Sequence, residues 1–132
     1  MKSDCAVRAL SLALGVDYTH VVNTLAPYGY RVGRGFDLGR WIACQEHPAI
    51  GEPEHVFGYS ATWMPTPAVR GEARLTVNSF AAAYPHGAWI VRQAHHFCAV
   101  RDGAVLMEAR RPDGGGCVYG AWRFNALDGR TA

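Results

Sequence analysis

The apolar residues change period once along this chain, and that change limits the folds open to it. In "CAVRALSLAL" (5–14) Val7, Leu10 and Leu14 recur every three or four residues, the spacing that lines one face of a helix. In the last third, "AWIVRQ", "HHFCAVRDGAVLMEA" and "CVYGAWRF" are short, rich in β-branched and aromatic residues, and divided by turn residues, the pattern of strands. Helices first and strands later predict an α+β domain with an antiparallel sheet, because a parallel sheet needs the two in alternation.

Local signals fill in the elements. Ser3 or Asp4 is placed to cap the first helix, and Gly15 closes it. A second helix follows, with Asp17 as cap, Val21, Val22 and Leu25 as its apolar face, and Pro27 with Gly29 as its end. "FDLGRWIACQE" predicts a third helix that exposes Arg40 and buries Leu38, Trp41 and Ile42, with Gly39 counting against it. Residues 47–75 hold Pro48, Gly51, Pro53, Pro65 and Pro67 around an apolar patch, which suits either a lid or substrate-facing arm, or a short strand pair. "LTVNSFAAAYPHG" reads as a helix capped by Thr76 and stopped before Pro85. Asp102 and Gly103 suit a two-residue hairpin, which would set Arg101 opposite Ala104, Ala99 opposite Leu106 and Phe97 opposite Glu108.

Composition narrows the functional classes. A chain of 132 residues forms a single domain with a real core, and 49% apolar with 18% charged residues suits a globular protein. Every basic residue but Lys2 is arginine, spread from Arg8 to Arg130 without a cluster, so no nucleic-acid partner is expected. No apolar run is long enough to cross a bilayer, and the N-terminal stretch, interrupted by Arg8 and bracketed by Asp4 and Asp17, makes a poor signal peptide. A cytoplasmic setting is therefore expected, with Cys5, Cys44, Cys98 and Cys117 reduced.

Among these cysteines, Cys5 is the candidate nucleophile. At a helix start it faces unpaired backbone N–H groups, which favour a thiolate and could hold an oxyanion formed on an attacked carbonyl. A general base must then come from elsewhere, and "HHFCAV" offers His95 and His96 at the start of a strand. The pleat sends His96, Cys98 and Val100 to one face and His95, Phe97 and Ala99 to the other, so only one imidazole can face Cys5. Glu108 on the next strand, or Asp113 in "PDGGG", is the candidate to orient that ring. Weaker alternatives are a zinc site from Cys44 and His47 and a self-cleavage before Cys5. No cofactor and no metal are expected.

The pieces "DCAVRALSLALGVDYTHV", "VGRG", "LTVNSFAAAYPHGAWIV" and "HHFCAVRDGAVLMEA", in this order, resemble the papain-like cysteine peptidase superfamily, above all its small single-domain phage and bacterial members. The resemblance spans most of residues 1–132. It implies N-terminal helices packed on a C-terminal antiparallel sheet, and a thiol hydrolase acting on a protein or peptide in the cytoplasm of a bacterium or an infected host. It also implies Cys5 as nucleophile, His96 as base and Glu108 as orienting acid. The chain departs from the family in having only "MKSD" before the cysteine, where a glutamine usually serves the oxyanion. Ser3, Asp4, Gln93 and Trp63 are the residues expected around the oxyanion and substrate instead. That departure, with Phe57, Tyr59, Trp63 and Met64 in residues 55–69, supports an alternative: a scaffold whose chemistry has lapsed, binding a protein partner or a second copy through that arm.

Overall fold

The computed structural model describes residues 4–31, 36–45, 54–66, 71, 74–107 and 117–126; the side chains of Cys44, Glu54 and His55 fall outside that description. Its chain order is α1 (Cys5–Leu14), α2 (Tyr18–Leu25), α3 (Leu38–Cys44), β1 (Glu54–Val56), β2 (Tyr59–Pro65), α4 (Val77–Ala83), β3 (Ala88–Gln93), β4 (His96–Arg101), β5 (Ala104–Val105) and β6 (Gly120–Ala126). The protein is thus mixed helix and antiparallel sheet, as the change of period predicts.

Three of these helices begin at the side-chain caps their sequence offers. Asp17 accepts from His20 N at 3.2 Å, Asp37 from Arg40 N at 3.0 Å and Thr76 from Ser79 N at 3.2 Å, each satisfying an amide that the helix leaves unpaired. Gly15 closes α1 at φ +68°, a left-handed conformation that costs glycine little. In α3, Leu38, Trp41 and Ile42 are buried and Arg40 is exposed. Gly39 also has a reason to interrupt that helix. A Cβ there would stand 3.2 Å from the Trp122 ring, so the missing side chain lets helix and sheet approach.

The six strands lie in the order β1-β2-β6-β3-β4-β5, every pair antiparallel. The last described strand, β6, therefore sits between β2 and β3. It pairs along its whole length with β2, from Tyr59↔Ala126 to Pro65↔Gly120. Residues 54–65 are consequently a hairpin built into the sheet, so the strand-pair reading holds for them and the lid reading falls. Both turn residues of the β4–β5 hairpin have positive φ, Asp102 at +48° and Gly103 at +80°, which matches the twist of the flanking strands. Its register sets Arg101 opposite Ala104, as expected, and Leu106 N donates to Ala99 O at 2.9 Å.

Two sets of buried residues make the core. Trp89, Val91, Cys98 and Val100 share one face of the sheet, where Phe80 and Tyr84 pack on the Trp89 indole with ring centroids 5.2 and 5.3 Å away. Ala88, Ile90, Ala99, Trp122 and Phe124 share the other, and α3 meets that face at Trp122. Val7, Leu10 and Ala13 bury α1 along β4 and β3.

Candidate active site

Cys5 is the first residue of α1 and lies half-buried against the core. Asp4 stands at the N-cap position, but its side chain makes no capping hydrogen bond. The carboxylate instead accepts from Tyr18 Oη at 3.0 Å and lies 3.8 Å from the Arg8 guanidinium. The expectation that Asp4 caps α1 through its side chain is thus corrected, because a hydroxyl from α2 and a cation one turn along compete for it. The consequence is chemical: Asp4 does not occupy the first-turn amides beside the thiol, where an oxyanion would need them.

One hydrogen bond ties the end of α1 to the sheet. Arg101 Nη1 donates to Ala13 O at 3.3 Å, linking the end of the helix to the end of β4. Helix α1 packs along β4, and this bond seats its last turn beside the end of the strand. Eight residues of helix from Cys5 to Ala13 rise about 12 Å, and five residues of strand from His96 to Arg101 rise about 17 Å. Among the described residues no hydrogen bond joins the Cys5 thiol to His96. Catalytic hydrogen bonds are often loose before substrate is bound.

The two histidines separate clearly. His95 is exposed and occupies the tight turn between β3 and β4 at φ +53°. His96 is half-buried, begins β4, and pairs across the turn with Gln93. Gln93 is 2% exposed, the one polar residue in the fully buried set among the described residues, and neither Gln93 nor His96 lacks a partner. Ser3, Glu108 and Asp113 fall outside the described residues, as do the His47 ring and the Cys44 side chain of the zinc alternative. Among the described residues no three His, Cys, Asp or Glu side chains are grouped as metal ligands would be.

Trp63 lies on β2 with its ring 4.6 Å from that of Trp122, and Trp122 is 6.0 Å from Phe97, the neighbour of His96. An aromatic series thus connects the middle of the sheet to the end where β4 begins. Tyr18 was not legible as a site residue from sequence, because its partner Asp4 precedes it by fourteen positions and no local motif joins them. Burial and the Asp4 carboxylate push its phenol up to about 12.

The other cysteines behave differently. Cys98 is fully buried, its thiol donates to Met107 O at 3.4 Å, and burial pushes it up to about 11, against a smaller opposing effect of Arg8. That thiol is inert at neutral pH. Cys117 is exposed. Among the described residues no helix is long and apolar enough to cross a membrane. Comparison with family models, with curated proteins and with solved structures finds no match to this chain.

Proposed function

We propose that this protein is a thiol hydrolase of papain-like architecture, acting on an amide, peptide or isopeptide bond of a protein or peptide. His96 takes the proton of Cys5, and the sulfur attacks the carbonyl carbon while the first-turn amides of α1 receive the oxyanion. The tetrahedral adduct collapses as His96 returns the proton to the leaving amine, leaving a thioester on Cys5. Water, deprotonated by the same imidazole, then releases the acid and restores the thiol. Glu108 is the proposed orienting group for His96, and Gln93, buried across the turn, is the proposed substitute for the glutamine absent before Cys5.

The observation that supports this reading is that Cys5 opens α1, a helix packed along β4, the strand that His96 opens. Competitive alkylation tests it. If access alone governed reactivity, the exposed Cys117 would react before the half-buried Cys5. The hydrolase reading expects the reverse at pH 7, by on the order of tenfold for an activated thiolate, with the preference lost in His96→Ala. Faster labelling of Cys117, unchanged by that substitution, would defeat it.

A further inference from the structure

Between α3 and the sheet lies a cleft of about 430 Å³. Sites for small ligands run from about 300 to 1,000 Å³, so it is large enough to seat one. The strand ladder fixes the face on which it opens. Trp63 pairs with Trp122, Trp122 pairs with Ile90, and Arg92 follows two residues after Ile90, so Trp63, Trp122 and Arg92 rise from the same side of the sheet. Gln93 and His96 pair with each other on the opposite side, and an occupant of the cleft therefore does not lie beside them.

Two glycines shape the cleft. Gly39 lets α3 lie against Trp122, and Gly120 lets the Trp63 indole settle onto the β6 backbone, where a Cβ would collide with the ring. Gly120 pairs on its other side with Arg92, so the indole lies over the strand next to the one that carries the guanidinium. The Trp63 and Trp122 rings are tilted by 55°, and Trp63 remains 40% exposed. Ile42 and Ala43 of α3 add an aliphatic wall. These surfaces suit a flat apolar body.

Charge narrows the ligand further. Arg92 is the one charged residue among the described ones that line the cleft. The guanidinium groups of Arg8, Arg31, Arg74, Arg101 and Arg123 are all engaged, by Asp4, by backbone carbonyls or by the Trp89 ring. Among the described residues nothing engages that of Arg92, and Asp37, the carboxylate of the α3 cap, is held by Arg40 N. A fixed positive charge disfavours a cationic ligand, which the indole faces would otherwise attract. A carboxylate matches a guanidinium in charge and in its two-pronged geometry, whereas a phosphate monoester brings close to two charges against one. We infer that the cleft binds a small aromatic carboxylate, its ring seated on Trp63 and Trp122 and its carboxylate paired with Arg92. This is a ligand site in addition to the proposed hydrolase chemistry and does not depend on it.

Calorimetry on the native protein at pH 7 tests the site, with naphthalene carboxylate, its neutral carboxamide, naphthyl phosphate and naphthylmethylammonium as probes. The carboxylate should bind about fivefold tighter than the carboxamide, the upper end for an exposed ion pair. The phosphate should bind no tighter than the carboxylate, and the ammonium weakest of all. Arg92→Gln, a change at an exposed side chain, should erase the preference for the carboxylate. Trp63→Ala should weaken carboxylate and carboxamide alike. In proton–nitrogen spectra the indole N–H signals of Trp63 and Trp122 should move as the carboxylate is added, while that of Trp89, on the opposite face, stays in place. Equal affinity for carboxylate and carboxamide, a preference that survives Arg92→Gln, tighter binding of the phosphate, movement of Trp89 in place of the other two, or no binding of the carboxylate at millimolar concentration would each overturn the inference.

Discussion

The Tyr18 hydroxyl donates to the Asp4 carboxylate at 3.0 Å, and this bond joins the start of α2 to the residue that precedes Cys5. Burial and the carboxylate both disfavour the phenolate and push the phenol up to about 12. Alkaline titration followed by phenolate absorbance, with Tyr18→Phe as the difference, should therefore find Tyr18 ionising well above an ordinary tyrosine. Asp4→Asn should bring it down. Because the folded value lies above the unfolded one of 10, this contact stabilises the fold below pH 10 and is lost as pH climbs toward 12. A Tyr18 titration unchanged by Asp4→Asn would mean that the bond does not form in solution.

What could be read from the residues divides by the range of the interaction. Asp17, Asp37 and Thr76 each cap a helix through an amide three residues away, and the Asp102–Gly103 turn is set by its own two residues, so all four were legible. Asp4 has the same residue type and the same position, yet it fails as a side-chain cap because Tyr18 reaches it from the next helix. Residues 54–65 were ambiguous for a related reason. Their ladder partner is β6, about sixty positions later, and nothing within the segment announces it. At the candidate site, Cys5 at a helix start and His96 at a strand start were both legible. The seating of the end of α1 beside that of β4 was not, since it depends on Arg101 meeting Ala13.

Gly120 is a sharper test of sheet packing than any large core residue. Its Cα lies under the Trp63 indole, and an added methyl would collide with that ring and stand 3.1 Å from Met64 O. Gly120→Ala should cost about 1–3 kcal/mol, the usual range for overpacking, measured as a shift in denaturant midpoint. Most of the loss should disappear in a Trp63→Ala background, where the ring is gone. An equal cost in both backgrounds would place the strain elsewhere.

The β4–β5 turn gives a backbone prediction of opposite character. Gly103 sits at φ +80°, where a side chain is strained, and a Cβ would also come within 3.5 Å of Pro85. Gly103→Ala should therefore destabilise by about 1 kcal/mol, with an unchanged denaturant slope. Gly58, at φ +82° in the β1–β2 turn, has no atom within 4 Å of its added Cβ. Gly58→Ala should then show the backbone cost alone, and no loss at either site would contradict the geometry.

Cys98 makes stability depend on pH in a direction that can be worked out. Its thiol is fully buried and donates to Met107 O, and burial raises it from 9.0 to about 11. The folded value lies above the unfolded one, so the neutral thiol contributes its full stability below pH 9. Between pH 9 and 11 the unfolded chain ionises while the folded thiol resists, and the contribution falls; above pH 11 no more is lost. Two pKa units correspond to about 3 kcal/mol, an order-of-magnitude figure. Tyr18 ionises over part of the same range, but it does so equally in a Cys98→Ala protein and cancels from the difference. Denaturant unfolding of both proteins at intervals from pH 8 to about 11 should therefore show the stability difference drifting against the native chain by 2–3 kcal/mol. Parallel pH profiles would show that water reaches the sulfur, and that α4 does not seal the face of the sheet on which Cys98 lies.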